Sequence, residues 1–240
     1  MNAPMAKKTL LVVLAHPDDE SFPMGGTLAK YAAEGARVTL VCATRGEAGI
    51  PGLSAADTAK IRTRELQAAA AALGLADVRF LGYLDGQLTA ADADTVVGQL
   101  VNILRAVGPQ AVITFGPDGI SGHPDHLAIH RMTTSAFDQA ALPARLYYLA
   151  PSEATLQGCG VIPSQELAGG PVAAIDVAHH LVTKVRAIQC HASQDPPFSG
   201  PPEIEAKRLT CHEYFTLARP IIGNDTGWTD LFEPTLMRTS

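Results

Sequence analysis

The amino-acid sequence predicts an α/β protein with a three-layer, Rossmann-like fold, in which a mostly parallel sheet is flanked by helices. Two patterns support this prediction. Short apolar runs typical of buried strands alternate with longer helix-like stretches through the first two thirds of the 240 residues. Clusters of titratable residues follow two of these runs, and open α/β sheets bind their ligands at such strand ends. The composition, 47% hydrophobic and 18% charged, is that of an ordinary globular chain.

The strands are predicted from short runs rich in branched apolar residues, at 9–15, 37–43, 77–82, 110–115, 145–149 and 172–177. Helices are predicted between and after them, near 25–35, 58–74, 90–107, 125–139, 178–190 and 203–217. The segments rich in Gly, Pro and Ser, at 151–171 and 195–202, are predicted to be surface loops. We expect one domain over residues 1–240, with a core of about 9–195 and a C-terminal extension of about 196–240.

Composition also excludes several classes of partner. The 18 Lys and Arg against 24 Asp and Glu give a net charge of -6, and no basic run points to nucleic acid. No apolar stretch approaches the roughly 20 residues needed to span a bilayer. Two lysines precede the first apolar run, but this run leads directly to His16 without a cleavage site, so we reject a signal peptide. Four scattered cysteines are typical of reduced thiols, which predicts a cytoplasmic protein; a homo-oligomer is compatible with the sequence.

The two titratable clusters carry the residue types that bind a catalytic metal. They are His-Pro-Asp-Asp-Glu at 16–20 and His-Pro-Asp-His at 123–126. Zinc hydrolases hold the metal with three ligands drawn from His, Asp and Glu and leave a fourth position for water. Ligands three residues apart can meet within one turn, as is possible for His16 with Asp19 and for His123 with His126. A two-His, one-carboxylate set of His16, Asp19 and His126 can therefore hold a divalent metal.

The remaining residues of the clusters suit the chemistry of hydrolysis. Asp18 would be free to take a proton from water as a general base. His123 could donate a hydrogen bond or a proton to an oxyanion and leaving group. Each cluster alone could be a helix cap, since Asp is a common N-cap and Pro is favoured at the first helical position. Two histidine-bearing clusters at two strand ends favour the metal site.

Two other functions fit parts of the pattern. A two-His, one-carboxylate set also holds Fe(II) in oxygen-activating enzymes, but these usually have an antiparallel barrel and a cosubstrate site. A non-catalytic module that binds a sugar or nucleotide could use Gly25 and Gly26 near the first helix. Neither G-x-G-x-x-G nor G-x-x-x-x-G-K-[ST] occurs, which weakens that alternative.

The motifs HPDDE and HPDH resemble those of the LmbE-like, or PIG-L, family of zinc-dependent N-deacetylases. Four further segments are similar to family motifs: T-x-G-E-x-G at 44–49, R-x-x-E at 62–65, the segment with an aspartate at 81–86, and H-x-S-Q at 191–194. The resemblance runs from about residue 9 to about residue 195. It implies removal of an N-acetyl or other N-acyl group from an N-acetylglucosamine-type amino sugar or its conjugate.

The resemblance also implies roles for individual residues. One zinc ion, with Fe2+ or another divalent metal as an alternative, would be held by His16, Asp19 and His126. Asp18 would be the general base, and His123 would stabilise the tetrahedral oxyanion. Asp125 would be an orienting partner beside His123.

The substrate would be a small amino sugar, and three residues are candidates for contacting it. The resemblance places Arg62 and Asp85 against the substrate, with a turn residue before Gly86 as the alternative for Asp85. His191 could either line the pocket or have a structural role. The alternative for Arg62 is an ion pair with Glu65 or Glu47. The sequence departs from some family members at Ser121, where they have a tyrosine that can reach the reacting carbonyl.

Overall fold

The structure, a computed structural model, describes residues 8–152, 172–219 and 229–232. These residues form a seven-stranded mixed sheet flanked by helices, which confirms the predicted α/β class. The strands are β1 Thr9–Leu14, β2 Arg37–Cys42, β3 Asp77–Phe80, β4 Ala111–Thr114, β5 Arg145–Leu149, β6 Val172–Asp176 and β7 His212–Arg219. The helices are α1 Gly25–Ala33, α2 Ala55–Leu73, α3 Ala93–Val107, α4 Gly119–Gly122, α5 Pro124–Ala140, α6 Leu181–Cys190 and α7 Pro202–Glu205.

The strand order, β3-β2-β1-β4-β5-β7-β6, explains where a ligand can bind. Strands β1 to β5 run parallel, while β7 pairs antiparallel with both β5 and β6. Parallel strands are joined by right-handed crossovers. The chain first adds β2 and β3 on one side of β1 and then crosses over to add β4 on the other side of β1. The direction in which strands are added therefore reverses between β1 and β4. This switch point leaves a crevice at the carboxyl ends of β1 and β4, and both titratable clusters follow those ends.

Burial and capping account for the elements that flank this crevice. Five of the six residues of β1 are buried, as expected for a central parallel strand covered on both faces. Helix α2 begins at the N-cap Ser54, whose side chain accepts a hydrogen bond from the Asp57 N–H. It ends at the C-cap Gly74, which has φ +77°, the left-handed conformation that glycine adopts readily at this position. None of the helices in the described part of the chain has the length and apolar character needed to cross a membrane.

The predicted helix at 203–217 is wrong. Only Pro202–Glu205 and a following 3-10 turn are helical, and His212–Arg219 is a strand. Residues 213–217 alternate between buried and half-buried positions, which is the period of a strand with one face in the core. Strand β7 lies between β5 and β6, so the core continues past residue 195, where we expected it to end. The predicted loop at 151–171 lies outside the described residues except for 151–152.

Gly98 offers a test of the helical assignment in α3. It is exposed in the helix interior, and a Cβ at this position would have no atom within 4 Å. Gly98→Ala is expected to raise the free energy of unfolding by about 0.5–1 kcal/mol, because alanine loses less backbone entropy on folding. Urea denaturation measures this change. A lower unfolding free energy would contradict the open surroundings of this residue.

Candidate metal centre

Three side chains meet in the crevice between β1 and β4. His16 Nδ1 lies 3.2 Å from His126 Nε2, and Asp19 Oδ1 lies 3.3 Å from the same His126 nitrogen. The other carboxylate oxygen of Asp19 is 3.7 Å from His16 Nδ1. Donors about 2.0–2.2 Å from a tetrahedral metal are themselves roughly 3.3–3.6 Å apart. The three predicted ligands therefore surround one point at separations that suit a bound metal.

The His126 ring is held in the orientation that metal binding requires. Its Nδ1 lies 2.9 Å from the carbonyl oxygen of Gly119 and donates a hydrogen bond to it, so that in the neutral ring Nε2 carries the lone pair. The ring also stacks on Phe115, with centroids 4.0 Å apart and planes 12° from parallel. The nitrogen left free faces His16 and Asp19.

The His16 ring is oriented by two carboxylates on its far side. Its Nε2 lies 3.0 Å from Asp85 Oδ1 and 3.2 Å from Asp125 Oδ2, which leaves Nδ1 for the metal. Asp125 is fully buried, and its carboxylate also accepts hydrogen bonds from the backbone N–H groups of Gly86 and Leu88. The predicted orienting role of Asp125 is thus directed at His16. Among the described hydrogen bonds, the one that joins Asp125 to His123 comes from the Asp125 backbone N–H and not from its carboxylate.

The electrostatics of these buried groups favour a cation. Burial alone would lower the pKa of His16, but hydrogen bonds to Asp125 and Asp85 and the charge of Asp19 raise it to about 10. The pKa of His126 is raised in the same way, because Asp19 outweighs burial. Burial opposes ionisation of Asp19, yet the two imidazoles lower its pKa to about 2. A site that binds protons this strongly has the negative potential, the nitrogen donors and the carboxylate that a divalent metal requires.

His123 lies at the same site, but its hydrogen bonds and its pKa differ from those of His16 and His126. One nitrogen each of His16, His123 and His126 lie within 4.8 Å of one another, so these three could also form a ligand set. However, His123 Nδ1 accepts a hydrogen bond from the Asp125 N–H at 3.2 Å, which caps α5. Burial and the neighbouring imidazoles lower the pKa of His123, so the ring is neutral with its proton on Nε2. This N–H is a hydrogen-bond donor at the edge of the site. The Asp19 carboxylate lies 3.3 Å from His126 Nε2 and carries a negative charge that the neutral His123 ring lacks.

Asp18 adjoins Asp19, one of the candidate metal ligands, and has an unusual backbone conformation. Its backbone has φ +97°, which is strained for any residue other than glycine. Burial and the charge of Asp19 raise the pKa of its carboxyl group to about 7, against the opposing effect of Arg62. Its side chain retains 24% exposure, so the carboxylate can be reached from the crevice. Backbone strain at a reachable carboxylate is typical of a residue held for function.

Comparison with known proteins identifies the family. The PIG-L family, described as GlcNAc-PI de-N-acetylase, matches residues 11–137, which include both clusters. The chain belongs to the PIG-L family. A deacetylase of 1D-myo-inositol 2-acetamido-2-deoxy-alpha-D-glucopyranoside from Acidothermus cellulolyticus is 38% identical over 260 residues, covering 88% of this chain and 89% of that protein.

Two solved structures share the fold of this PIG-L chain. The N,N'-diacetylchitobiose deacetylase from Pyrococcus horikoshii has a TM-score of 0.65 and 23% identity, covering 88% of this chain and 83% of its own. The 4-carboxy-2-hydroxymuconate hydratase GalB from Pseudomonas putida has a TM-score of 0.63 and 22% identity, covering 88% and 95%. Because one of the two is a hydratase, the shared fold does not fix the reaction, which must be argued from the site.

In this structure the two glycines of the PIG-L motif T-x-G-E-x-G are required for steric reasons. Arg62 is only 4% exposed, and its Nη2 donates to the Pro17 carbonyl oxygen at 2.5 Å and to Asp18 Oδ2 at 3.0 Å. A Cβ at either Gly46 or Gly49 would clash with this guanidinium. The two glycines thus form a slot through which Arg62 reaches Asp18. Sequence reasoning placed Arg62 against the substrate, whereas the structure places it beneath Asp18, with Nη1 on the Gly46 carbonyl oxygen and Nη2 on Pro17 and Asp18.

The slot predicts an energetic coupling between Gly49 and Arg62. Gly49→Ala is expected to lower the free energy of unfolding by about 1–3 kcal/mol, because the added methyl group overpacks the buried guanidinium. In an Arg62→Ala background the same change should cost less, since the clashing group is absent. Urea denaturation of the four proteins measures the coupling. Strictly additive effects would show that the glycine is needed for another reason.

Asp85, the second predicted substrate contact, joins two loops to the metal ligands. Its Oδ1 faces His16, and its Oδ2 accepts a hydrogen bond from the Ala48 N–H at 3.1 Å. In return, the Asp85 N–H donates to Glu47 at 3.2 Å. Reciprocal hydrogen bonds therefore fix residues 44–49 against residues 83–86. The Asp85 carboxylate has partners on both oxygens within the chain.

The burial of His191 favours the structural role over a place in the pocket lining. It is 0% exposed, and its Nε2 donates to Glu20 Oε1 at 2.7 Å. Its motif is also anchored at Ser193, whose N–H and hydroxyl donate to the Glu65 carboxylate at 2.7 and 2.6 Å. Sequence reasoning missed both pairs. The available signal was that each pair joins two family motifs. His191 of H-x-S-Q pairs with Glu20 of HPDDE, and Ser193 of H-x-S-Q pairs with Glu65 of R-x-x-E.

Ser121, which replaces the tyrosine found in some family members, is exposed on α4. The preceding residue, Ile120, has φ +65° and ψ −60°, a strained conformation for a β-branched side chain. This tight turn leads directly into His123. Among the candidate residues described, His123 is the one that carries a side-chain donor suited to an oxyanion.

Proposed function

We propose that this PIG-L protein is a zinc-dependent hydrolase that removes the acetyl group from the nitrogen of an N-acetylglucosamine-type sugar or its conjugate. The observation that carries the proposal is the meeting of His16, Asp19 and His126 around one point, beside a carboxylate that none of them uses. The 38% identical relative is named for deacetylating a 2-acetamido-2-deoxyglucopyranoside, which is the same chemistry on an amino sugar.

The donor set supports zinc as the metal. Two imidazole nitrogens and one carboxylate oxygen suit catalytic zinc, with a position left open for water. Zinc held there would polarise the amide carbonyl and lower the pKa of water. Fe(II) uses the same donor types in oxygen-activating enzymes, which is the alternative from the sequence. A neighbouring carboxylate that can accept a proton and a neutral imidazole that can donate a hydrogen bond are better explained by hydrolysis, which needs a general base and an oxyanion donor.

Asp18 accounts for the proton transfers of the reaction, and His123 for the stabilisation of the oxyanion. Asp18 takes a proton from the attacking water as the water oxygen bonds to the acetyl carbon. The His123 Nε2–H donates a hydrogen bond to the carbonyl oxygen as that oxygen becomes the tetrahedral oxyanion. The carbon–nitrogen bond then breaks while the proton passes from Asp18 to the leaving nitrogen. The products are acetate and the free amine.

An acetate-release assay on metal-depleted and reconstituted protein tests this function. The substrates would be N-acetylglucosamine derivatives that differ in the group on the anomeric oxygen, including the α-linked inositol conjugate. We expect a chelator to abolish acetate release and zinc to restore it. Reconstitution with Fe(II), with and without oxygen, tests the oxygenase alternative. Binding of a sugar without acetate release under any metal would favour the non-catalytic module.

A further inference from the structure

Glu20 and His191 form a buried pair that the proposed reaction does not use. Both residues are 0% exposed, and Glu20 Oε1 accepts hydrogen bonds from His191 Nε2 at 2.7 Å and from the Ser21 hydroxyl at 2.5 Å. A carboxylate removed from water in this way is costly unless its partners are well placed. Burial opposes protonation of His191, but the charge of Glu20, its hydrogen bond and the charge of Asp18 together raise the imidazole pKa above its usual value.

The other oxygen of Glu20 connects this pair to the strained residue. Glu20 Oε2 accepts a hydrogen bond from the Asp18 N–H at 3.0 Å. That N–H belongs to the residue with φ +97°, a conformation that persists only where the surroundings fix it. On the opposite side, Arg62 holds the Asp18 carboxylate and the preceding carbonyl. The backbone and the side chain of Asp18 are thus each bound by a different buried charged residue.

We propose that the Glu20–His191 pair positions Asp18, by holding its backbone in the left-handed conformation that directs the carboxylate to the attacking water. The proposal rests on the proposed function, in which Asp18 is the general base. Glu20 supplies the acceptor for the Asp18 N–H. His191 holds Glu20 in place across a separation of 171 residues and does not itself meet the substrate.

Glu20 must be a carboxylate for this arrangement. Three donor groups converge on its two oxygens, from Asp18, Ser21 and His191. The amide of a glutamine would present one oxygen and one NH2 group to the same three donors. In a purely structural role, the pair would only stabilise the packing of the loop after β1 against the end of α6. The two roles differ in whether a change in the pair alters catalysis by displacing Asp18.

Two amide variants of His191 separate these roles. In His191→Gln the amide nitrogen reaches the place of Nε2 and keeps the donor to Glu20, whereas in His191→Asn it reaches only the place of Nδ1. We expect His191→Asn to lower kcat by about 10- to 100-fold with KM little changed and zinc content full. His191→Gln should stay within about threefold of the wild type. Equal, wild-type activity in both variants would overturn the proposal, and so would loss of zinc in His191→Asn.

A double variant decides whether the effect acts through Asp18. In an Asp18→Asn background the base is already absent, so His191→Asn should lower the residual rate no further. A further drop of the same size would show that the pair acts on the structure in general, and the proposal would fail.

A crystal structure of His191→Asn supplies a readout independent of activity. We expect the Asp18 φ angle to leave its positive value, while an unchanged angle would contradict the proposal. If the wild type released no acetate from any substrate, the proposed function would fail, and the Asp18 angle would still test the positioning.

Discussion

Asp18→Asn is expected to lower kcat for acetate release by about 10²–10⁴-fold, the range typical for loss of a general base. The variant keeps the shape of the side chain and its contact with Arg62, but an amide cannot take a proton from water. The ligands His16, Asp19 and His126 are unchanged, so zinc content should stay full. Steady-state kinetics with metal analysis on the same samples measures both quantities.

Asp77→Asn is a matched control for this change. Asp77 lies at the start of β3, at the opposite edge of the sheet, and pairs with Arg79 near the surface. Its loss should leave kcat unchanged, since an exposed ion pair contributes little to stability. An Asp18→Asn enzyme with kcat close to that of this control would remove Asp18 from the reaction. A parallel loss of zinc would show that Asp18 supports metal binding.

His126→Ala is expected to abolish acetate release and to weaken zinc binding by more than about 100-fold, since even changes behind a ligand cost 10- to 100-fold. The reason is geometric: His126 Nε2 is the atom within 3.3 Å of both other donors. Removing it leaves one imidazole and one carboxylate, too few to hold the metal. Competition with a chromogenic chelator measures the change in affinity.

The control for this prediction is one helical turn further along α5. His130 is four residues from His126, a spacing that also occurs in metal sites. Its Nδ1 instead lies 2.8 Å from the Phe115 carbonyl oxygen, and its ring meets Tyr148 edge to face at 4.7 Å. His130→Ala should therefore bind zinc like the wild type. Loss of zinc in this variant as well would show that the ligand set has been misassigned.

The parts of the site that could be predicted from sequence are those set by local spacing and parallel strand order. His16 follows β1, and the HPDH cluster follows β4. Adjacent parallel strands bring their carboxyl ends to the same edge of a sheet, so the convergence of the two clusters follows from the strand pattern. The fold class and the family were predictable for the same reason, since each motif is short and continuous.

The partners of the buried charges could not be predicted in this way. Arg62 and His191 each suggest a substrate contact when considered alone, because charged and titratable residues are usually exposed. The structure buries both, since each finds a partner far along the chain, at Asp18 and at Glu20. Strand β7 was missed for a related reason. Its pairing with β5 and β6 is non-local, and the helix-forming residues at 202–208 masked the alternation that begins at 213.

The reciprocal hydrogen bonds between Glu47, Ala48 and Asp85 have a consequence for engineering. The loops at the rim of such a crevice are the natural places to redesign for a new sugar. Here two of them share the Asp85 carboxylate with the His16 ring, so a graft at 44–49 or 83–86 would also disturb the orientation of that ring. Redesign of either loop should therefore keep the contacts between Glu47, Ala48 and Asp85 in place.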